Sequence, residues 1–162
     1  MMGWAMAVAF ATMSAAAGAP TSDDVVDLAR VAVAEGGFWS LADHDGIWSV
    51  LALRARRRGV TMREMIYAYS SPMKRGHWVL GANAQATRPP DYPAQLDWSK
   101  VRAQWIFVMA RAQLFELLGL RDPCRGKADH FGDRDGDAAR ARQNGWRSIS
   151  CGKTGNQFWW EL

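Results

Sequence analysis

Cysteine is scarce in this chain: Cys124 and Cys151 are the only two among 162 residues. Neither belongs to a C-x-x-C pair, and two thiols cannot build a structural zinc site unless histidine joins them. What remains is one disulfide or two free thiols. A disulfide would close a loop of about 26 residues and stabilise the fold by roughly 3 kcal/mol. Such a bond persists outside a reducing cytosol, so the expected location is extracytoplasmic, in the periplasm or cell wall, or in a phage particle.

Other absences narrow the field further. Charge is missing from the first nineteen residues, which are rich in Ala, Met and Val and end in Ala15-Ala16-Ala17-Gly18-Ala19 before Pro20. Residues 1–20 therefore read as a signal-like or anchor segment, able to associate with a membrane or a phage particle, although no Lys or Arg precedes the apolar run. Repeats and low-complexity tracts are lacking, so residues 21–162 are expected to form a single domain. No His, Cys and acid residues have metal-like spacing, and no metal or cofactor is expected. Gly152-Lys153-Thr154-Gly155 lacks the upstream glycine and following helix of a phosphate-cradling loop. No Ser-His-Asp or Cys-His set has supporting context, and His44 and His77 sit in no pattern.

What the chain does hold is enough to fold. Hydrophobic residues make up 49% and charged residues 22%, an ordinary globular balance. The net charge of +4 and a pI near 9.4 favour polyanionic surroundings without choosing among nucleic acid, acidic lipid and carboxylate-rich wall. Tryptophan is in excess, with nine residues that serve either as core filler or as flat surfaces for stacking sugars.

Periodicity predicts a first helix over 23–34, capped by Thr21 or Ser22, with Glu35 on its last turn and Gly36-Gly37 stopping it. Asp43 or Asp45 is expected to cap a second helix, which ends in Arg54, Arg56, Arg57 and Arg58; there cations complement the dipole. Thr61-Met62-Arg63-Glu64 is a capping box for a third helix through Tyr69, ended by Ser70-Ser71-Pro72. A long irregular loop is expected over 73–96. The stretch 97–118 reads as the central buried helix, with Val101, Trp105, Val108, Ala112, Phe115 and Leu118 on one face and Gly119 closing it. Beyond Pro123 the pieces shorten, and 147–151 with 157–160 resembles a β-hairpin.

Glu35 is the residue with the most chemistry in its surroundings. A carboxylate at a helix C-terminus faces the negative end of the dipole, which disfavours ionisation, and the neighbours here are small or aromatic. An acid that keeps its proton near neutrality is what glycosidic cleavage needs, because the leaving oxygen must be protonated as the bond breaks.

The segment Leu28-Ala29-Arg30-Val31-Ala32-Val33-Ala34-Glu35-Gly36 resembles the "A-R-x-x-x-x-E" opening of the SleB-type cell wall hydrolase family. Ile47 to Arg56 stands where that family has an apolar helix with a basic end. Asp122-Pro123-Cys124-Arg125-Gly126-Lys127-Ala128-Asp129-His130-Phe131 is similar to its "D-P-[TS]-x-G-A-x-x-[FYH]" segment, and Gly155-Asn156-Gln157-Phe158-Trp159 to its closing "G-x-H-x-F-[YF]" strand. The chain departs from the family's "E-A-R-G-E" pattern, reading Glu35-Gly36-Gly37-Phe38-Trp39, and its 73–96 loop is longer.

This resemblance implies an α+β, mainly α fold, with a lysozyme-like helical core and a small C-terminal β-hairpin. It also implies peptidoglycan lytic transglycosylase chemistry with Glu35 as the catalytic acid and base. Expected substrate-binding residues are Trp39, Tyr67, Tyr69, His130 and Asn156, and the expected partner is the peptidoglycan glycan strand. A lysozyme-type hydrolase would need a second carboxylate, for which Asp43 and Asp45 are the candidates, although both also suit helix capping. A non-catalytic wall-binding or phage-particle protein of the same fold is the rival from a different class. Nucleic acid is not expected as a partner, because only the arginine run speaks for it.

Overall fold

Helix α1, Ser22–Gly36, lies at the centre, with four other helices packed against it. Leu28, Ala29, Val31 and Ala32 are fully enclosed. The computed structural model describes residues 22–75, 97–119, 122–132, 136–152 and 154–161. Around α1 pack α2 (Leu41–Arg58), α3 (Met62–Tyr69), the single turn α4 (Ser71–Lys74) and α5 (Trp98–Leu118). A short helix α6 (Gly136–Gln143) follows strand β1 (His130–Gly132), and strands β2 (Arg147–Ile149) and β3 (Gln157–Trp160) complete the chain. The fold is α+β and mainly α, as expected. Residues 1–20 and nearly all of the expected 73–96 loop lie outside the described residues, and so does Thr21. Among the described residues no helix is long and apolar enough to cross a membrane.

Helix ends follow their local chemistry in three places. The capping box is formed, with Thr61 Oγ1 accepting from Glu64 N–H and the Glu64 carboxylate accepting from Thr61 N–H. Asp97 accepts from Ser99 N–H to open α5, and Gly119 closes it at φ 60°. Gly37, at φ 75°, returns its N–H to Val33 O at 2.9 Å and ends α1 just past Glu35.

Three expectations are corrected. Ser70 does end α3, but with Pro72 it also starts α4, its hydroxyl accepting from Met73 N–H. Helix α2 starts at Leu41, two residues before Asp43, so neither Asp43 nor Asp45 caps it. Asp43 is needed elsewhere: it is buried and accepts the backbone N–H groups of Gly155 and Asn156, both at 2.8 Å, while Asp45 pairs with Arg111. Finally, α5 is a flank rather than the centre. Val101, Trp105, Val108 and Ala112 face α1, but Leu118 is exposed, as are Ile106, Phe107, Leu114 and Leu117. With apolar residues on more than one face, α5 cannot bury them all against a single neighbour.

The sheet order is β1-β3-β2, antiparallel throughout. The expected hairpin is β2 with β3, and β1 adds to the other edge of β3. Register pairs His130 with Trp159 on one face, and Phe131 with Phe158 on the other. Phe158 plugs the core against Gly46 of α2, where a Cβ would overlap the ring. Trp159 faces α6 and packs with Ala138, Ala141 and Trp146. Cys124 and Cys151 are joined, tying the segment before β1 to the turn after β2.

Candidate functional site

The last turn of α1 carries Glu35 to the wall of a cleft of about 600 Å³ between α1, the α3–α4 corner, α6 and the sheet. Its lining includes Glu35, Tyr69, His130 and Asn156, which are spread over more than a hundred positions of sequence. Burial pushes the Glu35 carboxyl above its ordinary 4.5, and the nearby Asp137 charge adds to the rise. Opposing this are a hydrogen bond from Ser70 and the charge of Arg75. Ser70 Oγ donates to Glu35 Oε1 at 2.5 Å, which leaves Oε2 as the oxygen able to carry a proton.

Asn156 closes the helix end. Its Nδ2 donates to Glu35 O at 3.0 Å, satisfying one of the carbonyls that a helix C-terminus leaves without a partner. The turn that presents Asn156 is held by the buried Asp43 carboxylate, so α2 fixes the tip of the β2–β3 hairpin against α1.

The same cleft carries a wired aromatic wall. His130 Nδ1 lies 2.9 Å from Asp129 Oδ1 and its Nε2 lies 3.0 Å from Arg54 Nη1. Burial, with the Arg54 charge, holds the imidazole below its ordinary 6.5, against the pull of Asp129. A neutral ring with its proton on Nδ1 satisfies both contacts: it donates to Asp129 and accepts from Arg54. Asp129 is buried; burial alone would raise its pKa, but hydrogen bonds from His130, Glu161 N–H and Arg57 outweigh this and hold it below 3.8. The His130 ring stacks on Trp146, with centroids 3.8 Å apart. Tyr69, beneath the Arg54 guanidinium, is pushed up to about 12 by burial and so stays a phenol, its oxygen accepting from Phe131 N–H.

No family model, curated protein or solved structure matches this chain. Geometry and chemistry therefore carry the reading of the cleft.

Two expected binding residues are placed elsewhere. Trp39 is 62% exposed in the α1–α2 connection, because the left-handed turn at Gly37 leads the chain away from the cleft. Tyr67 lies two residues from Tyr69 on α3, roughly 200° around the helix, so it faces the opposite way. Its hydroxyl donates to Asp27 at 3.1 Å. Neither Asp43 nor Asp45 lines the cleft; the carboxylates that share it with Glu35 are Asp137 and Glu161.

Sequence reasoning passed over Ser70, Arg54, Asp137, Trp146 and Trp159. Arg54 had a usable signal, since it lies three residues from Arg57 and the two share a helix face. Arg54 donates to Asp129 O and Arg57 to Asp129 Oδ2, whereas Arg56 and Arg58 point to solvent. The basic run is thus half committed to fixing β1 and exceeds simple dipole complementarity. No spacing pointed to Trp146 or Asp137, and Trp159 stood only as the last residue of the closing-strand motif. Among the described residues no group of three His, Cys, Asp or Glu is placed to hold a metal ion.

Proposed function

We propose that this protein cleaves peptidoglycan glycan strands between N-acetylmuramic acid and N-acetylglucosamine, as a lytic transglycosylase with Glu35 as acid and base. The observation that carries this is the Glu35 carboxyl, raised by burial and fixed by Ser70 on the wall of an open cleft that holds Trp146, Trp159, His130 and Asn156. The motif resemblance to the SleB-type family supports it from the sequence side, and so does the position of Glu35 at the end of a buried helix in a mainly helical fold.

One carboxyl group suffices for the reaction. Glu35 Oε2–H gives its proton to the glycosidic oxygen as the C1–O bond breaks. The resulting carboxylate takes the proton of the muramic acid C6 hydroxyl while that oxygen bonds to C1, closing the 1,6-anhydro ring and restoring the acid. The half-buried Trp146 ring, backed by the buried Trp159, suits sugar stacking, and the Asn156 amide and Tyr69 phenol supply polar contacts.

Asp137 favours a second reading, lysozyme-type hydrolysis. It lines the same cleft and its charge acts on Glu35, as a second carboxylate must in order to direct water or attack the sugar.

The test is zymography on purified sacculi with wild type and Glu35→Gln. Clearing by wild type alone supports the enzyme; equal clearing by both removes Glu35 from the chemistry. Absence of clearing with retained sacculus binding leaves a wall-binding protein. Mass spectrometry of the released fragments separates the two reactions, since anhydro ends mark transglycosylation and reducing ends mark hydrolysis.

A further inference from the structure

Three arginines line the cleft, and they are not equivalent. Arg54 is spoken for by Asp129 O, His130 and the Tyr69 ring. Arg75, the residue that closes α4, and Arg140, on α6, are exposed and make no side-chain hydrogen bond or ion pair among the described residues. Asp137 and Glu161 are the acidic neighbours in the cleft besides Glu35. Asp137 is packed against Gly132, where a Cβ would overlap it, and Glu161 Oε2 lies 3.8 Å from His130 Nε2.

A cleft that handled only neutral sugars would be served by its amide and aromatic groups. A guanidinium beside Glu35 is a liability for a proton donor, because the Arg75 charge lowers the carboxyl that burial raises. That liability disappears if Arg75 is occupied by an anion when the substrate is in place. Guanidinium groups match carboxylates in geometry and can bind them through two parallel N–H···O bonds.

We propose that Arg75 and Arg140 form a carboxylate-reading subsite, so that the cleft selects glycan strands that carry carboxylates next to the scissile bond. The inference rests on the peptidoglycan reading and adds substrate selection to it. Two sources of the carboxylate share this chemistry: the stem peptide, and the lactyl group of a muramic acid whose peptide has been removed. With its carboxylate paired, Arg75 no longer opposes protonation of Glu35, so binding of the anionic strand and arming of the acid go together.

The experiment measures binding of soluble strands to the full chain carrying Glu35→Gln, which holds the strand without consuming it. Four ligands are compared: peptide-bearing strands, peptide-stripped strands, and each of these with its carboxylates capped as methylamides. Capping is expected to weaken binding, and Arg75→Gln and Arg140→Gln are each expected to weaken binding of the uncapped ligand by about two- to fivefold, the range of an exposed charge pair. Raising the salt concentration should shrink the preference, and Arg140→Lys should restore part of it. Preference for peptide-bearing over stripped strands assigns the stem carboxylate; the reverse assigns the lactyl group. Equal binding of capped and uncapped strands, or equal losses on both in the arginine variants, overturns the subsite and leaves the peptidoglycan reading standing. Failure to bind or cut any glycan, with unchanged circular dichroism and melting, overturns both.

Discussion

At the scale of single residues, Glu35 is where burial and chemistry conflict. Its ionised form is disfavoured in the folded state, so folding is weakened wherever the pH lies above its ordinary 4.5. Glu35→Gln should therefore raise the melting temperature at pH 7, with the gain vanishing as the pH falls below 4.5, where the acid is protonated folded or unfolded. The same substitution should cut glycan cleavage by roughly 10²–10⁴-fold, the usual worth of a positioned general acid. For wild type, activity should fall as pH rises through the raised Glu35 value. Ser70→Ala removes the hydrogen bond that lowers that value, so the alkaline limb of the pH–rate profile should move to higher pH; no shift of the limb would remove Ser70 from the site.

At the scale of elements, the decisive joint is the tip of the β2–β3 hairpin against α2. Asp43→Ala leaves the Gly155 and Asn156 N–H groups without their acceptor, and a loss of about 2–4 kcal/mol is expected from chemical denaturation. Activity should fall with it, because Asn156 no longer closes the α1 terminus beside Glu35. Gly46→Ala tests the same joint through packing. The added methyl meets the Phe158 ring, and a cost of about 1–3 kcal/mol is expected, seen as a lower melting temperature.

For the whole molecule, acid and reductant should be the sensitive variables. Burial holds His44 and His130 below 6.5, so their share of stability is complete above pH 6.5 and is lost as pH falls through their folded values. Asp129 adds a later loss: its depressed value makes its contribution complete above 3.8 and lost on further acidification. Melting measured from pH 7.5 to 4 should show the decline begin near 6.5, and a flat profile would contradict the neutral buried imidazoles. Reducing the Cys124–Cys151 bond, or replacing both residues with Ser, should destabilise the chain by about 3 kcal/mol.

Local order was readable wherever local rules act alone. The capping box at Thr61, the stop at Gly37, the terminator at Gly119 and the hairpin over 147–160 all follow from a few neighbouring residues, and the structure contains each of them. Where two local explanations competed for one residue, sequence reasoning chose the nearer. Asp43 suited a helix cap three residues away but serves a turn at Gly155 and Asn156, and the arginine run suited a helix dipole but half of it grips Asp129.

The sequence by itself determined a mainly helical chain ending in a small sheet, and it marked Glu35 as an acid at a helix end among apolar neighbours. Helix periodicity, caps and turns are short-range, so they are written into consecutive residues. Only the tertiary structure decided that α1 rather than α5 is the centre, that Tyr69 and not Tyr67 faces the cleft, and that Ser70, Arg75, Asp137 and Trp146 meet Glu35 there. Burial, electric field and the convergence of distant side chains depend on how the helices pack, and no spacing along the chain encodes them.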